Sequence, residues 1–180
     1  GIKCIQGIIG SLLYYARVVD NNLLATLSTL SSQQAKATKN TAKAVHQLLD
    51  YVATYPNDGI TYQASTMTLA AHSDASFLTK PGSCSRAGAH IFLSKDDPVP
   101  CANGPILMLS QIIKFMALAT KAKLSALYLT AREMILLHNA LKEMGWKQPK
   151  VPIQTDNSTA AGFIHDTIIQ CHIKMILMRL

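Results

Sequence analysis

Two aspartates stand out by what surrounds them. Asp74 follows an alternating run, Met67, Leu69 and Ala71 against Thr66, Thr68 and Ala70, that leads into His72-Ser73-Asp74-Ala75-Ser76. Asp156 follows the short β-prone stretch Val151 to Thr155. Each aspartate stands at the carboxyl end of a predicted strand, where carboxylates can converge and act together. Other chemistries have less support. Ser73 and Ser158 have no His and carboxylate placed by the pattern to activate them. Cys4, Cys84, Cys101 and Cys171 lie 80, 17 and 70 residues apart, with no CxxC pair and no nearby His doublet, so free thiols are expected rather than a zinc site. His72 is assigned to the strand face opposite Asp74, as a surface or packing residue, and His138 to the apolar face of a helix.

The elements that must position these residues are readable from periodicity. Ile5, Ile8, Ile9, Leu12, Leu13 and Ala16 predict one helix, and Ala42, Val45, Leu48, Leu49 and Val52 a second that starts near Thr38 or Asn40. The polar run from Ser28 to Asn40 reads as a loop between them. Tyr55-Pro56-Asn57-Asp58-Gly59 breaks the helical pattern, because Pro cannot continue a helix and Gly supplies a turn. A boundary is placed there, giving a helical segment over 1–58 and an α/β domain over 59–180. The strand ending at Ser76 is followed by a Lys-Pro-Gly-Ser turn, and Ala87, Ala89, Ile91 and Leu93 alternate again. A third apolar run spans Ile106 to Ile113. Leu124, Leu127, Ala131, Met134, Ile135, His138 and Leu141 then keep one face of a long helix from about Thr120 to Gly145. Asp156-Asn157-Ser158 offers N-cap chemistry for a helix through about Ile164, and a further helix is expected to follow.

Composition bounds the partners. A hydrophobic fraction of 49% with 15% charged residues excludes a disordered chain, and Lys, Gln or Asn interrupts every long apolar stretch before it could cross a bilayer. A soluble protein inside the cell, cytoplasmic or nuclear and without a membrane partner, is expected. Seventeen Lys and Arg against ten Asp and Glu give a net charge of +7, which favours a polyanion. The start at Gly1 and the stop at Leu180, inside an apolar-basic pattern, read as a piece of a longer polyprotein or a truncated copy of one.

Five stretches in order carry a resemblance: Gly10-Ser11-Leu12-Leu13-Tyr14-Tyr15-Ala16-Arg17, Gln47-Leu48-Leu49-Asp50-Tyr51, His72-Ser73-Asp74-Ala75-Ser76, Ser85-Arg86-Ala87-Gly88, and Pro152-Ile153-Gln154-Thr155-Asp156-Asn157-Ser158-Thr159-Ala160. Together they resemble the end of a copia-type (Ty1/copia) retrotransposon Pol polyprotein, where a reverse transcriptase connection leads into an RNase H domain. The resemblance implies an RNase H-like mixed sheet flanked by helices, preceded by a small helical connection segment. It implies a nuclease that cuts the RNA strand of an RNA:DNA hybrid with two magnesium or manganese ions held by four carboxylates. Asp74 matches the first of these and Asp156 the third.

The other two positions depart from the pattern. Where the long helix of the family carries its acids, this chain reads Thr120-Lys121-Ala122-Lys123-Leu124, and where the late acid precedes a hydrophobic-Arg pair it reads Leu177-Met178-Arg179. Lys123 also adds a charge of the wrong sign. At about 4 Å and an effective dielectric near 20, an ammonium opposes each divalent cation by roughly 8 kcal/mol before any relaxation. Glu133 lies ten residues beyond Lys123, roughly 15 Å along the helix and off its face, and cannot substitute. The expectation is therefore a degenerate copy that binds no metal and retains weak binding to RNA:DNA hybrid or other nucleic acid. Arg86, Lys114, Lys121, Lys123 and Asn157 are its candidate contacts. The sequence leaves open an active nuclease that recruits Asp166, and an interaction module that packs against the rest of a reverse transcriptase.

Overall fold

The computed structural model describes residues 2–80, 82–97, 99–114, 116 and 118–156. The chain is an α/β structure. Helices α1 (Ile2–Val18), α2 (Leu24–Gln33) and α3 (Lys39–Thr54) precede strands β1 (Thr68–Lys80), β2 (Cys84–Ser94) and β3 (Pro105–Ile113); α4 (Ala119–Glu143) and β4 (Ile153–Gln154) follow. The strands form one mixed sheet in the order β3-β2-β1-β4, antiparallel from β1 to β3, with β4 parallel to β1. Among the described residues no helix is long and apolar enough to cross a membrane.

The stretch from Ser28 to Asn40, expected as a loop, is helical through Gln33 and turns through a 3₁₀ segment, Gln34–Lys36. Leu24, Leu27 and Leu30 are buried at three-residue spacing, and this narrow stripe is enough to hold α2 although the rest of its surface is mostly Ser and Thr. α3 then starts from Thr38. Its hydroxyl accepts from the Thr41 amide at 3.3 Å while the Thr41 hydroxyl accepts from the Thr38 amide at 3.2 Å, a reciprocal cap. The apolar faces of α1, α2 and α3 meet in one cluster around Ile9, Ala16, Leu27, Val45 and Leu48.

The sheet has a second core. Leu69 and Ala71 on β1 and Ala89 and Ile91 on β2 pack under Met134 and Leu141 of α4, and nearer its start Ala122 and Ala126 meet Ala75 and Ala87. Alanine on both surfaces lets helix and sheet approach closely, while each fully buried Leu or Ile contributes about 2 kcal/mol. Strand alternation then divides β3: Leu107 and Leu109 join the α4 core, whereas Met108 packs into the helical cluster. Thus α4 covers one face of the sheet and α2 lies over the other, beside β2 and β3.

Residues 55–67, where the boundary between the two units was expected, carry no helix or strand. Asn103 anchors this stretch: its side chain accepts from the Gln63 amide at 2.7 Å and donates to the carbonyls of Gln63 and Leu93 at 2.9 and 2.8 Å. Gly104 permits the approach, because a Cβ there would fall 2.7 Å from the Thr61 carbonyl oxygen.

Candidate functional site

Asp74 and Asp156 come together because β4 pairs with β1 in parallel, Ala71 with Ile153 and His72 with Gln154. Each aspartate stands two residues past the last of these partners, so both project at the same level from the same side of the sheet. Helix α4 starts over Ala75 and Ala87, which brings Lys123, in its second turn, to the same place.

The Lys123 ammonium sits between the two carboxylates. Nζ donates to Asp156 Oδ1 at 2.5 Å and lies 3.4 Å from Asp74 Oδ1. The lysine side chain is only 19% exposed, whereas those of Asp74 and Asp156 are 70% and 66% exposed. The hydrogen bond to Asp156, with the negative charges of both aspartates behind it, raises the Lys123 pKa above its ordinary value against the opposing effect of burial. The group is therefore a fixed monovalent cation that can donate but has no lone pair to offer. A pair of divalent ions does not fit these residues: the ammonium occupies the space between the oxygens and repels any ion brought there. Among the described residues no group of three or more His, Cys, Asp and Glu is arranged to hold a metal.

A cleft of 570 Å³ opens beside this triad, lined by His72, Asp74, His90, Met108, Gln154 and Asp156 among others. His72 corrects the expectation that it lies on the face opposite Asp74. Residues two apart on a strand share a face, and His72 lines the same cleft as Asp74. It stands directly across from His90 on β2, with ring centroids 6.2 Å apart, and both rings meet Phe92 edge to face at 5.2 and 5.1 Å. The His90 Nε2 pairs with the Asn103 carbonyl at 2.8 Å, while the buried His72 Nε2 has no hydrogen-bond partner among the described residues. Burial, and then the neighbouring His90, hold the His72 pKa below its ordinary value. His138 lies on the other face, in an apolar groove with Met134, Val151 and Ile153.

Arg86, a candidate nucleic-acid contact, is turned inward. Its guanidinium donates to Ser110 Oγ at 2.7 Å, to Thr29 Oγ1 at 3.2 Å and to the Ala25 carbonyl at 3.3 Å, and burial lowers its pKa. These bonds commit it to fastening α2 onto the sheet, which removes it from the outward-facing set. Lys114 is exposed just past β3, and Lys121 is half-buried in the first turn of α4. Glu133 is held by Arg132 at 2.8 Å. Asn157, Asp166 and Leu177, and the helix expected from Asp156, lie outside the described residues. Sequence reasoning missed the cleft floor, His72 with His90 and Gln154; the signal for His72 was its two-residue spacing from Asp74. Comparison with protein-family models, with curated proteins and with solved structures finds no match for this chain.

Proposed function

We propose that this chain is the RNase H-like module of a copia-type retroelement reverse transcriptase, with its helical connection segment, in which an internal ammonium has displaced the metal chemistry and nucleic-acid binding remains. The observation that carries the reading is Lys123 between Asp74 and Asp156. What supports the kinship is the element order that the resemblance implies, three antiparallel strands, a long helix and a fourth strand parallel to the first, with the two matching aspartates at adjacent strand ends. Two-ion hydrolysis needs one ion to activate water and another to stabilise the leaving oxygen. A site holding one protonated amine does neither.

The test is cleavage of a labelled RNA:DNA hybrid by excess protein over a wide range of magnesium and manganese, together with salt-dependent binding of the same hybrid. No cleavage above the Asp74→Asn variant, with binding that weakens as salt rises, is the expected result. Metal-dependent cleavage that disappears in Asp74→Asn would refute it.

A further inference from the structure

We propose that the molecule carries a composite basic rim for a nucleic-acid backbone, built by Lys36, Lys39 and Lys43 of the helical unit with Lys114 and Lys121 of the sheet unit. The inference rests on the nucleic-acid reading above and names the surface that would do the binding.

Charge in this chain is unevenly placed. Residues 21–49 contain Lys36, Lys39 and Lys43 and no acid, and residues 98–132 contain Lys114, Lys121, Lys123 and Arg132 and no acid. The fold brings Lys36 and Lys114, one from each stretch, to the same end of the sheet. Residues 20–22 line a cavity with Gly104, Pro105 and Met108, and farther along α2 the Ser28 hydroxyl donates to the Ser110 carbonyl at 3.3 Å. Helix α2 therefore runs in the same direction as β3. From Ser28 the chain advances eight residues to Lys36, about 13 Å at helical rises. From Ser110 the edge strand advances four residues to Lys114, also about 13 Å. By these rises Lys36 and Lys114 reach the same level; Lys39 opens α3 three residues on, and Lys43 stands one turn further. On the opposite face, the start of α4 packs against Ile113 and Met116, which puts Lys121 at this end too.

The rim thus wraps the free end of the edge strand β3, with lysines from both layers and from the strand between them. Lys36, Lys39, Lys43 and Lys114 are exposed. Lys123 is excluded from the set because Asp74 and Asp156 neutralise it. Folding does not account for the rim: Lys39 and Lys121 lie in the first turns of α3 and α4, where the helix dipole disfavours cations, and neither turn holds an acid. A line of like charges on one edge is explained by an anion that spans it, and a phosphate backbone supplies regularly spaced charges along such a track.

The experiment measures hybrid binding by fluorescence anisotropy across a salt series with the full chain. It compares Lys36→Glu/Lys39→Glu with Lys142→Glu/Lys147→Glu, an equal charge change among exposed lysines at the far end of α4. Melting curves verify that both fold. The first pair should weaken binding about tenfold and lower the salt slope by about two, the second by less than about threefold. Equal losses from the two pairs would mean that only net charge matters and would overturn the rim while leaving nucleic-acid binding intact. Polyglutamate competing as well as an oligonucleotide of equal charge would overturn the choice of partner. A wild-type chain that binds no hybrid would overturn both the rim and the reading beneath it.

Discussion

Lys123 concentrates the chemistry of the site in one residue, and its replacement separates two consequences. Lys123→Ala removes two ion pairs whose aspartates are about two-thirds exposed, so solvent screens them, and the loss of stability should be about 1 kcal/mol, smaller still in high salt. Lys123→Glu should do something different in kind. It would set a third carboxylate beside Asp74 and Asp156, and manganese should then bind with a dissociation constant on the order of 1 mM, measured by calorimetry or electron paramagnetic resonance. Binding lost again on adding Asp74→Asn is expected. If Lys123→Glu and the wild type take up manganese equally, the ammonium does not stand in the cation position. The two aspartates and the intruding lysine were legible in sequence because each sits in a short motif. The contact itself was not, since it depends on how far along β1 the α4 helix begins. Arg86 shows the limit from the other side: its charge suggested an outward contact, and only the packing of α2 reveals its inward one.

Among the elements, the strand pair β1 and β2 makes its own prediction through His72 and His90. These imidazoles face each other in register on the floor of the cleft, with Phe92 against both and His72 Nε2 buried. The folded state therefore favours neutral His72, and its pKa lies below that of the unfolded chain. Between those two values the unfolded chain binds more protons, so stability rises with pH there. Stability is fully present above about pH 6.5, the ordinary histidine value, and is lost as pH falls through the lower folded value. Thermal melts from pH 8 to 5 should show this decline, and His72→Leu should flatten it; an unchanged slope in that variant would assign the decline to other groups. Strong periodicity made α1, α3, α4 and the first three strands readable from sequence. Helix α2 escaped because three leucines in a Ser-Thr background give a weak signal that tertiary packing completes. Strand β4 was read from the β-prone stretch Val151 to Thr155, but its parallel pairing with Ala71 and His72 is not encoded in that composition.

At the scale of the whole molecule, the described residues pack into two cores, one within α1–α3 and one between the sheet and α4. The end of α3 at Thr54 was legible because Pro56 and Gly59 follow it, and the net charge of +7 was legible from counting. How the parts lie against each other was not, because that depends on a few long-range contacts: Met108 in the helical cluster, Ser28 on the Ser110 carbonyl, and the Arg86 fork on Ala25, Thr29 and Ser110. Arg86 dominates this set. Arg86→Ala removes a charged donor and leaves its acceptors facing a void, which should destabilise the contact by about 2 kcal/mol. Lysine should not rescue it, since a single ammonium cannot reproduce the planar fork that reaches three acceptors. Hydrogen exchange provides the measurement. With Arg86→Ala, amides of α1–α3 should exchange faster while those of β1 and β2 under α4 keep their protection, because the second core does not depend on the fork. Uniform loss of protection in both units would instead mean one cooperative core. Since the fork also fixes α2 along β3, the same variant should loosen the alignment of Lys36 with Lys114, so hybrid binding should weaken although no rim lysine has changed.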